Sequence, residues 1–199
     1  MIADDLNKFR IILASRSPRR RQLLEELGLK FKVVIKDYDE TYPEYLTGEN
    51  IALYLAGQKA ALFRGNLSSD EIVITADTIV WCNNRILEKP SRKEEAFQMI
   101  KILSGNTHEV ITGVTLLSAC GERSFSDTTK VTFDVLSEEE INYYIDNFKP
   151  YDKAGAYGIQ EWIGLAACSR IEGSYFNVVG LPVHKIYREL AQLIKEFKE

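Results

Sequence analysis

The segment EIVITADTIVW at residues 71–81 constrains the fold of this 199-residue chain most strongly. It is the best strand candidate in the chain, because a run rich in β-branched residues is typical of a buried strand. An acid interrupts the run. Asp77 lies among apolar residues, where an ionised carboxylate is costly unless it is paired or bound to a cation. The segment therefore predicts a strand in a sheet and a polar group that needs a partner.

Strand and helix patterns alternate on both sides of this segment. Further strands are predicted at 11–13, 31–35, 85–88, 108–117 and 128–136. Helices are predicted from Pro18 to Gly28, from Thr47 to Arg64, from Ser91 to Ser104, from Ser137 to Phe148 and from Val183 to the C-terminus. Two of these helices begin with the serine-to-glutamate spacing of a capping box. The two boxes are Ser91 with Glu94 and Ser137 with Glu140. The alternation, with a hairpin-like middle and a glycine-rich irregular segment at 151–182, predicts a mixed α/β domain with a partly antiparallel sheet.

Charge and composition narrow the class of function. The net charge of −4 at pH 7 argues against a general nucleic-acid binder, which usually carries a basic footprint. The polar, acidic N-terminus does not resemble a secretory signal, and no apolar run is long enough to span a membrane. Cys82, Cys120 and Cys168 are widely separated, which indicates reduced thiols in a cytoplasmic protein. His108 and His184 are too isolated to suggest a histidine metal site, and we expect a structural and a surface role for them.

The segment IILASRSPRRRQLL at 11–24 places arginines at the start of a predicted helix. Ser15 and Ser17 supply turn and N-cap chemistry, and Pro18 suits the first helical position. Cations are mildly unfavourable at this end of a helix, whereas a bound anion is favourable there. Arg19 and Arg20, with Arg21 behind them, would then offer forked donors to phosphate oxygens. The alternative is a solvated basic turn.

Four charged side chains could act in the same chemistry, and each has a simpler explanation. Asp77 could be paired with an arginine or lie on a solvated sheet face, and Glu40 could be one of the solvated acids of the loop KDYDETYPE. Lys59, on a mostly apolar helix, and Lys89, held between a strand end and Pro90, could be ordinary surface lysines. Together with the arginines, the two lysines could surround a polyphosphate, for which cationic side chains and a divalent cation are the usual partners.

The glycine-rich stretch YDKAGAYGIQ at 151–160 is the other unusual segment. Gly155 and Gly158 would let the backbone approach a ligand closely, and Tyr157 offers a flat ring. The amide of Gln160 could read a base edge, because it presents a donor and an acceptor side by side. The alternative is a structural loop rich in glycine.

Seven motifs of the chain resemble those of the Maf family and occur in the same order. They are LASRSPRRRQLL, KA at 59–60, ADTIV, LEKP, SGNTHEVITGV, DKAGAYGIQ and GSYFNVVGLP. The resemblance runs from about residue 10 to about residue 190. It implies a single Maf-like domain over residues 1–199, with an elongated mixed sheet flanked by helices. The same fold occurs in inosine triphosphate pyrophosphatases, and the active site of the family lies in a cleft between two lobes.

The resemblance also implies an activity. Maf proteins are nucleoside triphosphate pyrophosphatases that release the monophosphate and pyrophosphate with Mg²⁺ or Mn²⁺, and they are often dimers. It implies that the phosphates are bound by Ser15, Arg19, Arg20, Lys59 and Lys89. Asp77 would be the catalytic base or metal-linked activator of water, with Glu40 as a second metal ligand. The forms ADT and DKAGAYGIQ are similar to the subgroup acting on dTTP and UTP, which assigns base selection to Thr78 and Gln160.

The sequence departs from the family pattern at two places, and alternatives to the assigned function stay open. The chain has Gly57-Gln58 before the motif KA, where the family often has a charged residue. It has Glu161 where glycine is usual, which adds a negative charge beside the expected base pocket. One alternative is the same reaction on 7-methyl-GTP or another modified nucleotide. The other is a non-catalytic nucleotide-binding regulator of cell division.

Overall fold

The computed structural model describes Leu6 and residues 8–197, and within them seven strands form one mixed sheet. The strands are β1 Arg10–Leu13, β2 Phe31–Val33, β3 Glu71–Cys82, β4 Arg85–Leu87, β5 Thr107–Ser118, β6 Gly121–Phe133 and β7 Cys168–Glu172. The helices are α1 Pro18–Glu26, α2 Glu49–Ala61, α3 Lys93–Leu103, α4 Glu138–Phe148, α5 Trp162–Ala167, α6 Tyr175–Val179 and α7 Val183–Glu196, with a 3₁₀ turn at Ala154–Ala156. The strand order is β2-β1-β3-β5-β6-β7, with β4 paired to β3.

The strand pairs combine both directions. β1 is parallel to β2 and to β3, whereas β3–β4 and β6–β7 are antiparallel. In the parallel pair of β1 with β3, Ile11 lies opposite Ile72 and Leu13 opposite Ile74, and all four side chains are buried. Val73, whose side chain lies on the opposite face of β3, is also fully buried, and this burial of both faces explains the nearly continuous apolar sequence of β3. The mixed α/β fold predicted from the sequence is therefore confirmed.

The chain divides into two compact units. Unit 1 consists of the described residues within Met1–Asp77, Thr112–Asp127 and Gly180–Glu199, and unit 2 consists of Thr78–Ile111 and Thr128–Val179. The core of unit 1 includes the fully buried Leu13, Leu24 and Ile74. The core of unit 2 packs α3 and α4 around Phe133 and Tyr144. That the chain forms a single domain stays a prediction.

Several predicted boundaries are confirmed. α1 begins after Ser17, whose side chain accepts the Arg20 N–H at 3.4 Å. The capping box of Ser137 with Glu140 is present at the start of α4. Asn83 and Asn84 both have positive φ, as expected of the turn between β3 and β4.

Other predicted boundaries are wrong. α2 has Gly48, with a φ of 51°, as its N-cap instead of Thr47. Ser91 pairs with Glu95 and not with Glu94, because α3 begins only at Lys93 and the spacing shifts by one residue.

The C-terminal part of the chain is more regular than the sequence indicates. The segment 151–182 contains α5, β7 and α6, which are too short to show a clear period. The last helix ends at Glu196, and its predicted extension over 198–199 lies outside the described residues, as do residues 1–5 of the polar N-terminus. None of the helices in the described part of the chain is both long and apolar enough to cross a membrane.

Candidate active site

The acid inside β3 is paired with a lysine of α2. Lys59 Nζ lies 2.5 Å from Asp77 Oδ1 and 3.3 Å from the Ala76 carbonyl oxygen. The Asp77 and Lys59 side chains are only 12% and 14% exposed. Lys59 is thus a partner of Asp77, and the carboxylate is mostly buried, so the solvated sheet face considered from the sequence does not occur.

A hydrogen bond between α2 and β3 explains why these two side chains meet. The Thr75 hydroxyl, which is fully buried, donates to the Ala56 carbonyl at 2.7 Å. Lys59 follows Ala56 by three residues, which is about 4.5 Å along a helix, and Asp77 follows Thr75 by two residues, which is about 6.6 Å along a strand. Lys59 lies on the same face of α2 as Ala56, and Asp77 lies on the same face of β3 as Thr75. The hydrogen bond of Thr75 therefore fixes the position of the helix that carries Lys59.

The acidic loop after β2 adds a second carboxylate. Glu40 Oε1 lies 3.5 Å from Lys59 Nζ, so the ammonium group is shared between Glu40 and Asp77. The Glu40 side chain is 46% exposed, and its part of the attraction is more strongly screened by solvent. Two acids 37 residues apart in the sequence, at positions 40 and 77, thus converge on one cation.

Arg20 is buried and contacts the same Ala76 carbonyl oxygen as Lys59. Its Nε donates to the Gly180 carbonyl at 2.8 Å, and its Nη1 donates to the Ala76 carbonyl at 2.7 Å and contacts Ser15 Oγ at 3.5 Å. Burial lowers the pKa of the Arg20 guanidinium, and the negative charge of Asp77 opposes this shift. Arg20 therefore anchors the start of α1 to β3 and to the segment before α7, a role that the sequence did not predict.

The three arginines of α1 have different surroundings. Arg19 is half-buried, whereas Arg21 is exposed and its Nε donates to Glu25 at 2.8 Å. Only Arg20 is buried. The three consecutive arginines therefore differ in burial: Arg20 is buried, Arg19 is half-buried, and Arg21 is exposed and paired with Glu25.

Tyr38 is a residue of this site that the sequence analysis missed. Its hydroxyl donates to Glu40 Oε1 at 3.0 Å, and its ring centroid lies 5.3 Å from Lys59 Nζ. Burial, together with the negative charges of Asp77 and Glu40, raises the pKa of the phenol, so that it remains a donor at neutral pH. The only signal in the sequence was an aromatic residue two positions before Glu40 in a loop of charged residues.

The other three expected site residues belong to unit 2. Thr78 is half-buried and directly follows Asp77, whereas Lys89 and Gln160 are exposed. The Gly155 N–H donates to the Glu88 carbonyl at 3.1 Å, so the loop before Gln160 is attached beside Lys89.

The ring of Tyr157 does not face a ligand, and the structural alternative holds for it. Tyr157 is buried, and its hydroxyl lies 2.7 Å from His108 Nε2. A Cβ on Gly155 would lie 2.9 Å from the side chain of Val80. Close packing against Val80 therefore explains why position 155 is a glycine. His108 is structural and His184 is exposed, as expected.

The donor set around Lys59 is suited to a hard divalent cation. Among the described residues, no group of three or more His, Cys, Asp or Glu side chains could hold a metal ion. Glu40 and Asp77 nevertheless converge on one positive charge. Mg²⁺ is usually bound by one or two carboxylates, with substrate phosphates and water completing its ligands. The carboxylates of this site fit such an ion.

Comparisons with known proteins agree with the motifs. The chain is 53% identical to a dTTP/UTP pyrophosphatase of Phocaeicola vulgatus, with 96% of this chain and 99% of that protein covered. It is 52% identical to a dTTP/UTP pyrophosphatase of Flavobacterium johnsoniae, with 98% and 100% covered. A solved nucleoside-triphosphatase of Mycobacterium abscessus, described as a dITP/XTP pyrophosphatase, is 14% identical with a TM-score of 0.41, over 93% of this chain and 97% of that one. A profile of the family described as Maf-like protein matches residues 10–193, and the chain therefore belongs to the Maf family.

Proposed function

We propose that this protein hydrolyses dTTP and UTP to the nucleoside monophosphate and pyrophosphate. The observation that carries the proposal is the contact of Lys59 Nζ with Asp77 Oδ1, which holds a carboxylate of the central strand next to a shared cation. A buried acid with cations close by is the arrangement expected where water attacks a phosphoanhydride. The names of the two bacterial relatives, each about half identical over nearly the whole chain, support the choice of substrate.

In the proposed reaction, water attacks the α-phosphorus. Asp77 accepts a proton from the attacking water, a bond forms between the water oxygen and the α-phosphorus, and the bond from that phosphorus to the bridging oxygen breaks. Pyrophosphate leaves with the electron pair of that bond. The contact with Lys59 Nζ holds the mostly buried Asp77 carboxylate in place for this role.

The cationic side chains bind the phosphates in this proposal. Arg19, Arg20, Lys59 and Lys89, together with Ser15, would hold the phosphates and offset the charge that develops on the leaving pyrophosphate. Arginine suits the oxygens of a phosphate because its forked donors can bond two of them. The carbonyl bonds of Arg20 keep its guanidinium in one orientation, so little conformational entropy is lost on binding.

Asp77 and Glu40 are the residues that would hold a divalent cation, Mg²⁺ or Mn²⁺. When bound, such a cation neutralises phosphate charge and lowers the pKa of water that it coordinates. Lys59 balances the two carboxylates in the structure described here, since its ammonium contacts both. Tyr38 orients Glu40 through its hydroxyl.

Base selection is assigned to Thr78 and Gln160. An amide can accept from the N3–H of uracil or thymine and donate to the neighbouring carbonyl. Gln160 is exposed at the end of a segment whose residues 155–159 are all buried. Its side chain is therefore presented by a rigid part of unit 2. The cytoplasmic location and the homodimer stay predictions.

A panel of triphosphates tests the proposal. Purified protein is incubated with Mg²⁺ or Mn²⁺ and with dTTP, UTP, CTP, GTP, ATP or 7-methyl-GTP, and pyrophosphate and monophosphate are measured. We expect release from dTTP and UTP at a kcat/KM at least about tenfold above the others, and loss of activity with a chelator. A preference for 7-methyl-GTP would contradict the substrate assignment. Binding of nucleotide without any release would indicate the non-catalytic regulator.

A further inference from the structure

Three side chains of unit 2 form a closed cluster around the turn that carries Gln160. The Tyr144 hydroxyl donates to Glu161 Oε2, and Lys153 Nζ lies 3.1 Å from Glu161 Oε1. Tyr144 is fully buried, and the side chains of Lys153 and Glu161 are 9% and 19% exposed. Lys153 Nζ also contacts Asp152 Oδ1 at 2.7 Å. The negative charge of Glu161, which the sequence predicts beside the base pocket, is thus paired with Lys153 within unit 2.

The cluster joins both ends of the segment 158–161. The Tyr144 oxygen accepts the Gly158 N–H at 3.0 Å, while the same hydroxyl donates to Glu161. The Glu161 N–H in turn donates to the Gly158 carbonyl at 3.0 Å, which closes a tight turn. Gln160 is the exposed residue of this turn, since Gly158 and Ile159 are buried.

Close packing keeps the turn in this form. A Cβ on Gly158 would lie 2.8 Å from the Glu161 carboxyl carbon, so a larger residue at position 158 would displace the carboxylate. Burial and the neighbouring Glu161 raise the pKa of the Tyr144 phenol, which therefore remains a hydrogen-bond donor. Glu161 is held by Tyr144 and Lys153, and Gly158 is held by Tyr144, so the backbone is fixed on both sides of Gln160.

Fixing that backbone matters for reading a base. An amide that recognises uracil must place its oxygen near N3–H and its nitrogen near O4 at the same time. Displacing such a group by about 1 Å loses one or both hydrogen bonds. CTP has the same sugar and triphosphate as UTP and differs only at this edge, so the ratio of UTP to CTP turnover reports the precision of the contact.

We propose that Glu161 is a positioning residue for substrate selection, which acts through Gln160 by clamping the turn 158–161 against Tyr144 and Lys153. The inference rests on the proposed function, because it takes Gln160 to contact the base. Glu161 itself does not touch the substrate in this proposal. By fixing the conformation of the turn, Glu161 increases the preference of the enzyme for uracil and thymine over cytosine.

The test compares the kcat/KM ratio of UTP to CTP in wild type and in Glu161→Ala, Glu161→Gln and Gln160→Ala. For Glu161→Ala we expect the ratio to fall about tenfold through a higher KM for UTP, with kcat within about threefold of wild type. Glu161→Gln can still accept from Tyr144 and should keep most of the preference. In the Gln160→Ala background, Glu161→Ala should change the ratio no further. Glu139→Ala, an exposed glutamate of α4, is the matched control and should match wild type.

A second measurement does not use turnover. Amide hydrogen exchange of residues 158–161 should be faster in Glu161→Ala than in wild type and unchanged in Glu139→Ala. If Glu161→Ala does not fold, Tyr144→Phe, which keeps the ring and removes only the hydroxyl, should also lower the ratio and speed the exchange.

Two results would overturn the inference alone. In the first, wild type prefers UTP and the folded Glu161→Ala variant shows the same preference. If Glu161→Ala does not fold, the same preference in Tyr144→Phe has this meaning. The other is a fall in the ratio of equal size with and without Gln160, which would mean that Glu161 acts independently of it. A wild type that releases no pyrophosphate from any triphosphate would contradict the proposed function first, and this inference with it.

Discussion

Lys59 Nζ lies 2.5 Å from Asp77 Oδ1, and both side chains are mostly buried. A mostly buried carboxylate that lost this partner would retain its desolvation cost and lose the attraction that offsets much of it. The pair therefore contributes to folding and, in the proposed reaction, to chemistry. The two contributions can be separated by the following variants.

Asp77→Asn removes the proton acceptor and keeps the shape of the side chain. We expect the kcat for pyrophosphate release from UTP to fall at least about 100-fold, because an amide cannot take a proton from water. Nucleotide binding, measured by calorimetry, should remain detectable. Asp39→Asn makes the same substitution at an exposed aspartate and should leave kcat within about twofold of the wild-type value. Retention of more than about a tenth of the wild-type rate by Asp77→Asn would rule out its role as the base.

Lys59→Met replaces the shared ammonium by an apolar side chain of similar length. Because the mostly buried Asp77 carboxylate then loses the ammonium that contacts it, the free energy of unfolding should fall by about 2–4 kcal/mol in urea denaturation. Lys30→Met, at an exposed lysine, should change it by less than about 0.5 kcal/mol. The double variant Lys59→Met/Asp77→Asn should be destabilised by less than the sum of the two single changes. Simple additivity would show that the two side chains do not stabilise each other.

The arginines of α1 should differ in their effects on KM and on stability. Arg20→Ala should raise KM for UTP at least about tenfold and also lower the melting temperature, because it removes bonds to two carbonyls as well as a phosphate ligand. Arg19→Ala should raise KM with a smaller thermal effect. Arg21→Ala, which only removes a surface pair with Glu25, is the control and should stay within about twofold of wild type. An unchanged KM in both Arg19→Ala and Arg20→Ala would mean that no phosphate binds at this helix start.

Tyr38 contacts the site through two different groups, which two substitutions can separate. Tyr38→Phe removes the bond to Glu40 and should lower kcat/KM about three- to tenfold, the value of one hydrogen bond. Tyr38→Leu also removes the ring beside Lys59 and should lower it about two- to fivefold more. Tyr45→Leu, at a side chain that is 82% exposed, should have no comparable effect. Equal activity of Tyr38→Leu and wild type would exclude Tyr38 from the site.

The stability of the protein should depend on pH through His108. Burial lowers the pKa of His108 to about 4, from an ordinary value of 6.5. Between these two values the unfolded chain binds a proton that the folded chain does not, so the free energy of unfolding falls as the pH falls through this window. Above pH 6.5 the contribution is constant.

His108→Gln measures this contribution directly. Between pH 7 and pH 4.5, wild type should lose on the order of 2 kcal/mol more stability than the variant in urea denaturation. His184→Gln, at the exposed histidine, should follow wild type. Parallel pH curves for wild type and His108→Gln would show that His108 is protonated equally in both states.

The helix starts show how far local sequence determines structure. The capping box of Ser137 with Glu140 is present as predicted, because its hydrogen bonds join residues three positions apart. The box predicted at Ser91 is shifted to Glu95, since α3 starts later than the pattern indicates. The sequence of 151–182 predicts an irregular segment, because its short helices and β7 are stabilised by packing and show no visible period.

The sequence by itself determined that residues 71–81 form a strand and that Asp77 within it requires a charged partner. Both conclusions follow from local patterns: β-branched residues favour extended backbone, and apolar surroundings make an isolated charge costly. Only the tertiary structure decided which cation that partner is. The choice of Lys59, and the use of Arg20 as an anchor for two carbonyls, depend on bonds such as Thr75 to Ala56 and Arg20 to Gly180. Those bonds join residues that are distant along the chain, and their formation depends on how the helices pack on the sheet.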